Sequence, residues 1–355
     1  MRRVAAELLE FSAQFPKIQK DTDEHGEHLL HKLTKLIEQS QNIVLSTHRQ
    51  CDGDGLGSQL AMYHALKKVK KNVSIINVDA TPKKYNFLEP EKFIQVFEID
   101  SRVPQKIDLV LIFDTNDCRL LEPLYSKLAQ ESTSIAFVDH HPILNQGPQP
   151  TPESWIDVKA ASTGELCFRV IEDLKIPWDP QMAKAIYTSI VFDTQLFRYV
   201  RNSANSHLIA AHLLSQSFDI DEVHRYLFSH QTPEKMNFLA KTLQKIEYTC
   251  DGRLGLIRIK TKDLLNHQLD LDDTRDLIDF IMNIDQLDAA VVFREDAPNV
   301  YKLSLRSKGN FNVLKIAEMV GGGGHFSASG AFLKGKYEDL KSKIVDEMTK
   351  LLKSA

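Results

Sequence analysis

Three short apolar runs in this chain each stop at an ionisable residue: Asn42-IVLST at His48, IDLVLIF (107–113) at Asp114, and SIAFV (134–138) at Asp139. A fourth run, VSIINV (73–78), has the same β-branched character. Continuous apolar runs of this length read as strands buried on both faces. Between them the spacing returns to helical, as in GSQLAMYHALKKVK (57–70). Strands alternating with helices predict an α/β domain with a mainly parallel sheet. In such sheets ligands gather outside the carboxyl ends of the strands, so the three terminal residues should converge.

A chain of 355 residues is long enough for two domains. Residues 1–41 read as a polar helical extension. In its opening, Met1-Arg2-Arg3, the following apolar stretch is broken by Glu7 and Glu10, which favours an amphipathic helix over a signal peptide. A first α/β domain spans 42–217, a polar helical connector without a strand spans 218–249, and a smaller α/β domain spans 250–355. The last contains RLGLIRIK, AAVVFRE, YKLSLRSK and the glycines Gly321–Gly324. No apolar run approaches the roughly 20 residues that cross a bilayer. The cysteines at 51, 118, 167 and 250 form no CxxC pair, so a reducing interior, the cytoplasm, is expected. A formal charge of −4 favours a small or short anionic substrate over long duplex DNA, without excluding a local basic patch.

The loop His48-Arg49-Gln50-Cys51-Asp52-Gly53-Asp54-Gly55 could be a plain turn, since Asp and Gly favour turns. His48 changes that balance: one imidazole and two carboxylates on a tight loop suit divalent cations, manganese among them. Asp139-His140-His141 at a buried strand end is more titratable charge than packing requires, and an aspartate can orient a neighbouring imidazole. Asp114 and Asp193 could each be a helix N-cap. Five converging carboxylates, at 52, 54, 114, 139 and 193, would repel one another unless two cations neutralised them with one carboxylate bridging. In the C-terminal part, Gly321–Gly324 with His325 is either a flexible loop or a segment whose backbone approaches an anion. Arg306 and Lys308 could add phosphate contacts or lie on an ordinary solvated edge.

The ordered set HxxxDGDxxGS, DTxD, DHH and FDT, followed by GGGGH, resembles the DHH phosphoesterase family with its DHH-associated C-terminal domain, from about residue 42 to about 340. The chain is most similar to that family's nanoRNase, oligoribonuclease and pAp-phosphatase branch. The resemblance implies a catalytic domain and a smaller substrate-binding domain with a cleft between them. It implies two manganese ions, the first held by His48, Asp52 and Asp114, the second by Asp54, Asp114, His140 and Asp193. Asp139 would orient the metal-bound histidine and His141 would contact the scissile phosphate. Arg306 and the segment Gly322, Gly323, Gly324 and His325 would hold substrate. Cys51 replaces a frequent proline, Gln195 a frequent glycine, and His325-Phe326-Ser327-Ala328-Ser329-Gly330 lacks the usual basic, double-alanine character.

On this reading the chain hydrolyses very short RNA to nucleoside monophosphates, with pAp as a second substrate. A cyclic- or linear-dinucleotide phosphodiesterase (pGpG or pApA) is the alternative within the class, and a non-catalytic RNA-binding protein the alternative outside it. Relatives are often dimers, so a homodimer is left open.

Overall fold

The computed structural model describes residues 24–144, 147–201, 203–229, 231–269, 271–274 and 277–353. The first 23 residues of the expected helical extension, including the amphipathic opening, lie outside them. The chain divides into two compact units, with the main break after Ser229.

The first unit runs α1 (Glu24–Gln39), β1 (Asn42–Thr47), α2 (Gly53–Lys68), β2 (Asn72–Asn77), β3 (Ile94–Val96), β4 (Ile107–Phe113), α3 (Leu124–Glu131), β5 (Ser132–Asp139), β6 (Trp155–Ile156), α4 (Thr163–Asp173), α5 (Pro180–Asp193), α6 (Asn205–Leu214) and α7 (Ile220–Phe228). Its sheet has the order β3-β2-β1-β4-β5-β6, parallel throughout. Alternate strand residues enter different cores. Leu45, Leu111 and Val138 pack with Leu60, Ile186 and Ile190, and Val44, Val110, Ile112 and Phe137 pack with Leu128. Burial on both faces is why these runs are continuously apolar.

Register explains the convergence expected from sequence. Thr47 pairs with Phe113, and Phe113 with Val138. The next residue on each strand path is His48, Asp114 and Asp139, so three distant positions share one row at the sheet's carboxyl edge. Behind that edge α2 and α5 approach closely at Gly57. A Cβ there would stand 2.4 Å from the Ala185 carbonyl oxygen and 2.9 Å from the Ser189 nitrogen. Glycine weakens a helix interior by up to about 1 kcal/mol relative to alanine, and here it permits the contact.

The second unit contains α8 (Pro233–Leu243), β7 (Glu247–Thr249), β8 (Leu254–Ile259), α9 (Thr261–Leu265), α10 (Leu277–Met282), β9 (Ala289–Ala297), β10 (Val300–Ser307), α11 (Leu314–Glu318), β11 (Gly323–His325), β12 (Ala328–Lys334) and α12 (Tyr337–Lys353). Its sheet has the order β11-β12-β10-β9-β8-β7, with only β8 and β9 parallel. One face packs on α12 through Tyr301, Leu303, Leu305, Ile344 and Met348. On the other, Phe238, Leu277 and Ile281 cover β8 and β9 through Ile257 and Val292.

The mixed α/β architecture with a parallel first sheet is as the sequence predicts. The stretch 218–249 differs: besides the helices α7 and α8 it holds β7, not the strandless connector expected. Glu247 and Tyr248 are exposed, so no apolar alternation marks that edge strand, which exists through its pairing with β8.

Candidate metal centre

Each site residue is fixed by the element that carries it. Asp52 caps α2, its Oδ1 accepting the amides of Asp54 (3.1 Å) and Gly55 (3.5 Å). The turn reading of this loop is therefore right for Asp52, whose carboxylate also lies 3.9 Å from the His48 Nε2. Asp54, in the first turn of α2, is almost wholly buried. It accepts the amides of Thr163 (2.8 Å) and Gly164 (3.1 Å) at the N-terminus of α4, and the Ser189 hydroxyl from α5. The positive end of α4 favours that carboxylate. Asp114 follows β4 with φ +62°, a left-handed conformation that aspartate tolerates. Asp193 is the last residue of α5, whose N-cap is Asp179. Neither Asp114 nor Asp193 is a helix N-cap, so that alternative is corrected for both.

Asp139 also departs from the role carried over by resemblance. Its Oδ1 accepts the His141 Nδ1–H at 2.8 Å and the His140 amide at 2.8 Å, and its Oδ2 accepts the Asn116 amide group at 2.7 Å. The ring it orients is that of His141. The His140 ring instead places Nδ1 3.2 Å from the Ala160 carbonyl oxygen. β5 ends at Asp139, and in the turn beyond it the two imidazoles stand 4.7 Å apart, with that of His141 held by Asp139.

The eight predicted residues of this unit form one constellation. His48 Nε2 is 3.4 Å from Asp114 Oδ2. His140 Nε2 is 3.4 Å from Asp54 Oδ2, 3.5 Å from Asp193 Oδ2 and 3.7 Å from Asp114 Oδ1. The ligand atoms of His48, Asp52 and Asp114 lie within 4.8 Å of one another, as do those of Asp54, His140 and Asp193. The two imidazoles thus face opposite oxygens of Asp114.

Burial, followed by the charges of Asp54, Asp52, Asp139 and Asp193, holds the Asp114 carboxyl well above the usual carboxylate range. Burial likewise pushes Asp54 up to about 6, against the bonds from Ser189 and Thr163. It pushes Asp193 up to about 8, with Asp54 adding to the rise. Burial, then the neighbouring His141 and Arg201, keeps His140 neutral and able to ligate. For His141 burial pulls down, but the Asp139 charge and hydrogen bond, with Asp193 and Asp54, outweigh it and raise it to about 9. Uncompensated negative charge beside neutral imidazole is a donor set that fits divalent cations.

In the second unit the glycine segment is not a flexible loop. The Gly322 amide donates to the Ala317 carbonyl at the end of α11, and Gly323–His325 forms the edge strand β11. A Cβ on Gly322 would stand 2.1 Å from the Gly330 carbonyl oxygen, and Gly324 has φ +132°. Arg306 on β10 and His325 on β11 both pair with Ala328, so they share one row and one sheet face. Arg306 also lies 3.3 Å from Asp279. Lys308 donates to the Ile284 carbonyl, which favours a structural role.

The DHH family N-terminal domain matches residues 42–190, and the DHHA1 domain matches 258–354. The chain carries a DHH domain followed by a DHHA1 domain. It is a hydrolase acting on phosphoester bonds and using divalent metal. The bifunctional oligoribonuclease and PAP phosphatase NrnA of Thermus thermophilus is 26% identical over 314 residues, 87% of this chain and 90% of that protein. An exopolyphosphatase-related protein from Bacteroides fragilis shares the fold with a TM-score of 0.82 at 24% identity, over 94% of this chain and 99% of that one. RecJ from Thermus thermophilus, solved in complex with Mn2+, shares it with a TM-score of 0.54 at 15% identity, over 94% of this chain and 55% of that one. Among the described residues of this DHH protein, no helix is long and apolar enough to cross a membrane.

Several supporting residues escape a sequence reading. Ser189 and the Thr163 and Gly164 amides hold Asp54, and Arg201 places its guanidinium 3.3 Å from His140 Nδ1. Gln195, where the family often has glycine, adopts φ +47°, a region that favours glycine. Asn116 donates to both Asp139 (2.7 Å) and the His141 carbonyl (3.0 Å); its place inside the DTxD motif was the only available signal. Asn116→Ala should lower kcat about 10- to 100-fold through disorder of the Asp139–His141 pair. Steady-state kinetics beside a metal titration would check this, with metal affinity changing less than kcat.

Proposed function

We propose that this DHH phosphoesterase is a manganese-dependent enzyme that hydrolyses very short RNA to nucleoside monophosphates and removes the 3′-phosphate of pAp. One observation carries the reading: His48 and His140 face opposite oxygens of the buried Asp114 carboxylate, at 3.4 and 3.7 Å. That arrangement suits two cations sharing one carboxylate. His48, Asp52 and Asp114 would hold one, and Asp54, His140 and Asp193 with Asp114 the other. Two such cations lower the pKa of water and offset charge on phosphoryl oxygens.

The chain's own groups supply the rest. Asp139 keeps His141 protonated, and we assign its Nε2–H to an oxygen of the scissile phosphate. Asn116 holds that pair in place. In the second unit we assign Arg306 and the Gly322–His325 segment to substrate, because their shared row offers a guanidinium and an imidazole to an anion. The name of the Thermus relative supports short RNA and pAp as substrates. Cytoplasmic residence belongs to the same proposal and rests on four free cysteines.

A timed digestion of 5′-labelled RNAs, from dinucleotide to roughly 24-mer, with manganese tests it. The expected result is rapid conversion of the shortest RNAs to monophosphates and release of phosphate from pAp. Hydrolysis of pGpG alone, or two bound cations with no turnover of any dinucleotide, would overturn it.

A further inference from the structure

The face of the second sheet that carries Arg306 continues along β10 and β12. On β10, Lys302, Ser304 and Arg306 alternate with the buried Tyr301, Leu303 and Leu305. On β12, Ala328, Gly330, Phe332 and Lys334 alternate with the buried Ser329, Ala331 and Leu333. Register sets Arg306 opposite Ala328, Ser304 opposite Gly330 and Lys302 opposite Phe332. All six therefore share one side. Phe332 is 58% exposed, and the Lys302 Nζ lies 5.8 Å from its ring centroid. Beyond Ala331 this end of β12 has, among the described residues, no partner on the β11 side, so the Phe332 ring stands at an open sheet edge.

A lone exposed phenylalanine needs no explanation. This one stands in register with a lysine, on a floor of small residues leading back to Arg306, with Lys334 next on the same face of its own strand. Aromatic rings flanked by cations are how proteins hold single-stranded nucleic acid, the ring stacking on a base and the amines meeting phosphates. Lys302 is four residues from Arg306, about 13 Å along an extended strand. At a stacked rise of about 3.4 Å per nucleotide that distance takes roughly four steps, and fewer if the strand is splayed. A dinucleotide anchored at Arg306 would not reach Phe332, and a pentanucleotide would.

We propose that Phe332, with Lys302 and Lys334 beside it, is a second RNA subsite that engages the nucleotides beyond the reacting pair. The inference rests on the short-RNA reading above and gives it a length dependence. In the full chain with manganese, Phe332→Ala should lower kcat/KM for a pentanucleotide about tenfold through KM and leave a dinucleotide within about twofold. Phe332→Trp should restore the pentanucleotide, and Lys302→Ala should flatten the salt dependence of its binding. A pentanucleotide unaffected by Phe332→Ala, or an equal loss at both lengths, overturns the subsite. Anisotropy of a fluorescent pentanucleotide, read without turnover, keeps the two claims apart. If the wild type cleaves no RNA but its affinity for the pentanucleotide falls about tenfold in Phe332→Ala, the short-RNA reading fails and the subsite stands.

Discussion

An Asp114→Asn enzyme is expected to lose about 10³-fold or more in kcat while its metal-free form melts at a higher temperature than the wild type. The loss follows from position: the two Asp114 oxygens face His48 on one side and His140 on the other. The gain follows from charge. Burial and four neighbouring carboxylates oppose ionisation of Asp114, and asparagine removes that opposition while keeping an oxygen for the Thr163 hydroxyl. Divalent cation should then raise the melting temperature of the wild type and leave the variant nearly unmoved. Near-normal kcat, or a variant that melts lower without metal, would refute the assignment of Asp114 as the shared carboxylate.

The second large effect is pH dependence of the metal-free protein. Asp54 and Asp193 have folded-state pKa values of about 6 and about 8 against an ordinary 3.8. The unfolded chain gives up these protons at lower pH than the folded one, so their stabilising contribution is full below about pH 4. It is lost as pH rises through 6 and then 8. His141, raised to about 9, has the same sign: its contribution is present below its ordinary 6.5 and lost toward 9. A tenfold change in proton affinity is worth about 1.4 kcal/mol, and Asp193 is partly exposed, so the fall between about pH 5 and 8.5 should be on the order of 10 °C in Tm. Cations must displace the same protons. Calorimetry in buffers of different ionisation heat should find proton release on manganese binding near pH 6 and little near pH 9. A metal-free Tm that stays level or rises across this range contradicts the charge balance described.

What could be read in advance had a physical basis. His48, Asp114 and Asp139 were legible because each ends an apolar run, and parallel pairing of Thr47, Phe113 and Val138 brings run ends together. The pairing of Asp139 with His141 was not legible, because β5 ends at Asp139 and no strand period runs on through the two histidines. Ser189 and Thr163 were not legible: a hydroxyl inside a helix and an amide at a helix start carry no sequence mark until the tertiary fold presents them with Asp54. Short edge elements such as β6 and β7 were missed because two or three residues cannot show periodicity. The glycine segment was ambiguous because the close approach of Gly322 to the Gly330 carbonyl, which glycine alone permits, appears only once β11 and β12 pair.

The contact between α2 and α5 at Gly57 has a consequence for ion choice. Ser189 and Asp193 are one turn apart on α5: the first grips Asp54, and the second is itself a candidate ligand. Sliding α5 by a fraction of an ångström would move both against the row fixed by β1, β4 and β5. The width of the donor nest is therefore gauged from behind by two helix backbones in contact, and a cation held by Asp54 and Asp193, as proposed, would be selected for size by helix packing as well as by the carboxylates.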